Sequence, residues 1–236
     1  MRFIAAVVVL GLVPVLEAGS ADEDEARSAK AALQALNDFI GDWNGSGAPE
    51  KPAPLPRETW RETLSWSWRF KGNDAWLTMT VDNGKHLKSG ELRFLPERGR
   101  YQFTALDSKD QKLTFEGEFK KGYLTLDRTD AATKEVQRLM MNSAGDGLRF
   151  VYRSLRKPAG GTLFVKGYQV ACTKKGEALG VRAKKAECVV TGGLGTSTVT
   201  YMGQTYYVCC SGCRDAFNED PEKYIKEYEA RKKHGR

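Results

Sequence analysis

The chain has 236 residues, 41% hydrophobic and 28% charged, with a formal net charge of +7. That composition excludes disorder over most of the length and supports a buried core, and the length suits one large domain or a medium one plus a small one. The Lys and Arg residues are spread along the chain rather than clustered, which speaks for a solvated basic surface and against nucleic acid as a partner.

Residues 1–20 carry Arg2, an apolar run from Phe3 to Leu16 broken by Gly11 and Pro14, and then small residues at Ala18, Gly19 and Ser20. The pattern predicts a signal peptide, because the run is too short to span a bilayer and no stop-transfer pattern comes after it. Export to a periplasm or to the exterior is therefore expected, with no transmembrane segment in the mature protein. Loss of Arg2 and Glu17 would leave the net charge unchanged. From 21 to 40, Ala26, Ala29, Leu33, Leu36 and Ile40 recur at helical spacing after an acidic start, predicting an amphipathic helix that covers one end of the neighbouring domain.

At Gly41 the period changes from 3.6 to 2. Turn signals recur at hairpin intervals, among them Gly72-Asn73-Asp74, Asp82-Asn83-Gly84, Lys120-Lys121-Gly122 and Ala159-Gly160-Gly161. Between them apolar residues share one parity, as in Trp60, Leu64, Trp66, Trp68 and Phe70, or Ala75, Leu77, Met79 and Val81. Nine or ten short strands over 41–175 predict an antiparallel barrel, since closure removes exposed edges. The Pro-rich stretch from Ala48 to Pro56 reads as a loop at the barrel mouth, and His86 as an exposed turn residue. With its leading helix and the Gly41-Asp42-Trp43 stretch, this part loosely resembles lipocalin-like barrels. The resemblance implies a cup for a small apolar ligand with Trp66, Trp68 and Phe70 facing inwards, although the same rings would also fill a small barrel.

Composition shifts again at 176–186, an Ala-, Lys- and Arg-rich stretch read as a linker, and 187–236 forms a small module. Ser197–Tyr201 and Gln204–Val208, split by Met202-Gly203, predict a hairpin too small to stand alone. Helical segments come after Cys213, the second opening with Asp220 as N-cap and Pro221 in the first turn. All five cysteines lie after residue 171, and three of them, Cys188, Cys209 and Cys213, form a C-x20-C-x3-C array. That is metal-ligand spacing, and thiolates suit Zn(II) or Cu(I), not calcium or magnesium. A disulfide from Cys188 to Cys209 or Cys213 is the rival reading for an exported chain.

Together with Cys188, the run Tyr201-x-Gly203-x-Thr205-Tyr206-Tyr207-x-Cys209-Cys210-x-Gly212-Cys213, then Phe217 and Asp220-Pro221-Glu222-Lys223-Tyr224, resembles the TRASH or YHS family of treble-clef-like metal-binding modules. The resemblance spans about 187–228 and implies Cys188, Cys209 and Cys213 as metal ligands in a protein that binds, senses or delivers a heavy metal. Many members carry a second cysteine three residues after the first, where this chain has Thr191. Three thiolates then leave the fourth position to Cys210, Cys172, His234 or solvent. The expected protein is mainly β, a helix and an antiparallel lipocalin-like barrel followed by a small α+β cysteine module. It binds a metal ion rather than catalysing a reaction, with the alternative that the barrel binds a small apolar ligand and the module is a structural staple. No C-x-x-C pair or thioredoxin-like βαβ pattern supports a thiol oxidoreductase.

Overall fold

Alternation with period two becomes ten strands in the computed structural model, which describes residues 19–50, 58–176 and 186–234. The expected signal peptide falls almost entirely outside the described residues, as do most of the Pro-rich stretch and of the 176–186 linker. Each strand pairs antiparallel with the next, and β1 (Gly41–Pro49) closes on β10 (Val165–Lys174). The barrel's strands run from Gly41 to Lys174, ten of them where a lipocalin has eight. The hairpin at Lys121-Gly122 has φ of 53° and 80°, the left-handed pair that a two-residue turn requires.

Two strand ends depart from simple pairing. Pro49 extends β1 beyond its pairing with β2 (Trp60–Lys71), which stops at Gly47. Because the Glu50 N–H reaches the Gly167 carbonyl of β10, the Pro49 nitrogen faces the open side, where its missing N–H costs no ladder bond. Ala48 and Pro49 are accordingly strand residues rather than loop. At the other end β2 runs on past β1: the last pair is Trp66 with Gly41, and residues 67–71 of β2 continue with only β3 (Asp74–Asp82) beside them.

Helix α1 (Gly19–Gln34) and a 3-10 turn at Asn37–Phe39 close this same end of the barrel; the regular helix stops six residues short of the predicted limit at Ile40. Leu33, Leu36, Phe39 and Ile40 are buried. The Tyr101 hydroxyl donates to the Ala32 carbonyl at 2.8 Å, and the Trp43 indole N–H donates to the Phe39 carbonyl at 2.9 Å. Phe39 meets Phe150 edge-on at 4.9 Å, and Trp43, Trp66, Trp68 and Phe103 are fully buried around them. Trp66 and Trp68 are therefore packed core rather than the walls of an open cup. Losing one such ring to alanine would cost about 3–5 kcal/mol.

Polar groups gather at the opposite end. Glu62, buried, accepts hydrogen bonds from the Trp60 indole at 2.8 Å and the Tyr152 hydroxyl at 2.5 Å. His86 is not an exposed turn residue: its ring stacks on Tyr168 at 3.8 Å and meets Trp60 edge-on. The apolar surface of its aromatic partners holds it half-buried although Asn83-Gly84 does make the turn. A cavity of about 220 Å3 opens here, lined by His86, Leu113, Phe115 and Tyr168 among others.

Candidate metal centre

The module begins with a tight knuckle. The Cys188 N–H donates to the Gly193 carbonyl at 2.7 Å, and the Gly192 N–H to the Cys188 carbonyl at 2.9 Å, with Gly192 at φ 75° where a side chain would be strained. Next, β11 (Ser197–Tyr201) and β12 (Gln204–Val208) form the predicted hairpin through a turn at Met202-Gly203, both at positive φ. The chain then enters α2 (Ser211–Glu219) and α3 (Pro221–His234). Asp220 caps α3 as expected, its carboxylate accepting the Lys223 N–H at 3.1 Å.

Three elements thereby deliver one sulfur each: Cys188 from the knuckle, Cys209 from the end of β12, and Cys213 from the first turn of α2. The three sulfurs lie within 4.8 Å of one another, all buried, with Cys209 and Cys213 3.4 Å apart. A tetrahedral Zn(II) with bonds of about 2.3 Å sets its sulfurs about 3.8 Å apart, so the cluster is of the size one ion needs. Thr191 lies in the knuckle with its hydroxyl 3.6 Å from the Cys209 sulfur and 3.9 Å from that of Cys213. It fills the fourth side with a neutral oxygen, a weak donor to soft ions.

The remaining candidates separate. Cys210 borders the cluster, its sulfur 3.9 Å from that of Cys209. Cys172 does not belong to it: β10 turns that thiol into the barrel, between Gly45 and Glu62, where burial and then the Glu62 charge push it up to about 12. The side chain of His234 lies outside the described residues. None of the five cysteines is in a disulfide. Cys209 lies within hydrogen-bond reach of both Cys210 and Cys213. Hydrogen bonds from Cys209, then Cys213, hold both Cys188 and Cys210 below the ordinary thiol value, while donation to Cys188 raises Cys209. Burial, above all, raises Cys213.

Residues 196–228 match the YHS domain family. The matched stretch holds Cys209 and Cys213 but starts after Cys188, which the fold brings back through its bridge to Tyr207 and the Val189 N–H bond to the Tyr207 carbonyl. Among solved structures, the chain is similar to Rv2717c from M. tuberculosis at 17% identity and a TM-score of 0.40, over 61% of this chain and 97% of that one. No curated protein matches.

The YHS module is seated on the barrel in a way that no sequence pattern announces. Its dock is the overhanging edge of β2, whose backbone groups have no β1 partner: the Trp68 N–H donates to the Cys210 sulfur at 3.4 Å, and Gly212 packs directly on the Trp68 carbonyl. From the other side Asn37 joins barrel to knuckle. Its amide donates to the Thr191 carbonyl at 2.9 Å, and its oxygen accepts the Trp68 indole N–H at 3.2 Å; Gln34 adds a second bond to the same carbonyl at 3.1 Å. Lys30 of α1 pairs with Glu227 of α3 at 2.7 Å. Buried apolar residues of barrel and module form one continuous cluster, so the module has a packed floor that its own few aliphatics would not provide.

Proposed function

We propose that this is an exported metal-handling protein that binds Zn(II) or Cu(I) through Cys188, Cys209 and Cys213 and serves in metal binding, sensing or delivery rather than catalysis. The observation that carries the reading is the convergence of three buried sulfurs from three separate elements, at the spacing of a single ion, with a threonine where a fourth thiolate would stand. Three thiolates suit trigonal Cu(I), or Zn(II) with one exchangeable ligand. A bound ion would draw the knuckle, the hairpin and α2 together, so its binding free energy would add to the stability of the fold. Export rests on the Arg2-to-Ser20 pattern.

Metal analysis of protein purified under reducing conditions tests this. One equivalent of Zn(II) or Cu(I) in the wild type, lost in Cys209→Ser and Cys213→Ser, is expected; a metal-free wild type after incubation with either ion would overturn it. The alternative, a ligand in the barrel, is narrowed to the cavity beside His86 and Tyr168, because the Trp66 and Trp68 end is filled. Quenching of Trp60 fluorescence by an apolar compound, abolished in Tyr168→Ala, would support it.

A further inference from the structure

A crevice of about 320 Å3 runs between the barrel wall and the module. Of the clustered cysteines, Cys209 and Cys210 line it, and Cys188 and Cys213 do not. Cys188, Cys209 and Cys213 are buried, whereas Cys210 is partly exposed. Building on the metal-binding proposal above, we infer that Cys210 is the exchange thiol of the site: a soft ion enters and leaves the three buried sulfurs through this crevice, passing by way of Cys210 to or from a small anionic thiol carrier.

The geometry supports each part. Cys210 and Cys209 sulfurs stand 3.9 Å apart, close to the separation of about 3.8 Å that two thiolates keep on one tetrahedral ion, so an ion can be shared between them without backbone movement. The Cys210 sulfur accepts the Trp68 N–H at 3.4 Å and keeps further lone pairs with which to meet an ion. Serine and threonine residues line the passage, and its three cations, Lys174, Lys175 and Arg214, outnumber its one carboxylate, Asp42. Its volume admits a small molecule rather than a protein domain, and its polar, basic wall suits a thiol that carries carboxylates.

The exchange balances without redox chemistry. As the ion arrives, one metal–sulfur bond to the carrier breaks and one to Cys210 forms, and a proton released by the cluster passes to the carrier thiolate. The ion then bonds Cys209, Cys188 and Cys213 as the Cys210 bond is given up; of the protons these thiols release, one returns to the Cys210 sulfur and the rest pass to water. Departure is the reverse.

The test loads full-length protein with Zn(II) and measures transfer to a chromophoric chelator, with and without glutathione as the anionic thiol, for wild type, Cys210→Ser and Lys175→Glu. In Cys210→Ser the affinity should stay within about threefold while glutathione-assisted transfer slows about tenfold. The serine oxygen can still accept the Trp68 N–H, and unchanged thermal unfolding of the metal-free variant confirms that the dock survives. Lys175→Glu should slow transfer with glutathione but not with neutral 2-mercaptoethanol. An unchanged transfer rate in Cys210→Ser would leave Cys210 only an edge cap and overturn the inference; a tenfold loss of affinity would make it a permanent ligand and overturn it too. Failure of the wild type to hold either Zn(II) or Cu(I) would instead refute the metal-binding proposal.

Discussion

Gly212→Ala sets two effects of opposite sign against each other. Gly212 lies in the first turn of α2 with no positive φ, so alanine there should favour the helix by about 0.5–1 kcal/mol. A Cβ at this position would, however, sit 1.8 Å from the Trp68 carbonyl oxygen and 2.8 Å from its carbon. Both are backbone atoms of a barrel strand and cannot swing away. Relief needs α2 to lift by over an ångström, which lengthens the Trp68-to-Cys210 bond beyond use and opens the packed floor under Phe217. Overpacking of this kind costs about 1–3 kcal/mol, and the lost edge bond about another 0.5–1.5. The net expectation is destabilisation by about 0.5–4 kcal/mol, read as a lower urea midpoint, together with weaker metal retention because Cys213 travels with the helix. Equal or higher stability would refute the reasoning, since it would mean that the module hangs free of β2 and responds only to helix propensity.

Other outcomes can be expected from the same geometry. Thr191→Cys places a fourth sulfur where the hydroxyl now lies, and should tighten Zn(II) binding by about tenfold or more, with an added thiolate band in the Co(II) spectrum. Trp43→Phe should cost about 1 kcal/mol more than Trp66→Phe in urea unfolding, since both rings are fully buried but only the Trp43 indole has a hydrogen-bond partner among the described residues. Cys172 is raised from 9.0 to about 12 in the fold, so the stability it lends is whole below about pH 9 and is lost as pH climbs towards 12. Thermal melts across that range should therefore fall less steeply for Cys172→Ala than for wild type, and Cys172 should resist alkylation until the chain unfolds.

Much of this architecture is legible in the sequence because the local patterns are strong. Parity of Trp60 to Phe70 and of Ala75 to Val81, punctuated by Asn83-Gly84 and Lys121-Gly122, names strands and turns without any knowledge of pairing. The barrel's limits at Gly41 and Lys174 coincide with changes of period and composition. Cysteine spacing and the hairpin between Cys188 and Cys209 likewise gather the three sulfurs. What escapes depends on register between distant segments. The overhang of β2 past Gly41 is set by where two strands begin, and no residue type marks it. Asn37, by sequence simply part of an amphipathic helix, bonds both Trp68 and Thr191, and nothing in its neighbourhood signals that. The burial of His86 is hidden because its turn context is local while its Tyr168 partner comes from a strand far along the chain. For Cys172 a signal exists: Val170, Cys172 and Lys174 share the inward parity of β10, which points the thiol away from the metal site.

The stretch of β2 from 67 to 71 would, if bare, be a short template for another chain, offering unpaired amide and carbonyl groups in a row. Matched strand lengths would avoid this; here the YHS module occupies that rim instead, with a cysteine sulfur taking the amide and a glycine lying flush on the carbonyl. Separated at 176–186, the barrel would be left with a bare rim and the module with an unsupported underside, so Cys210 and Gly212 act as the cover of a strand edge as well as parts of the cysteine module.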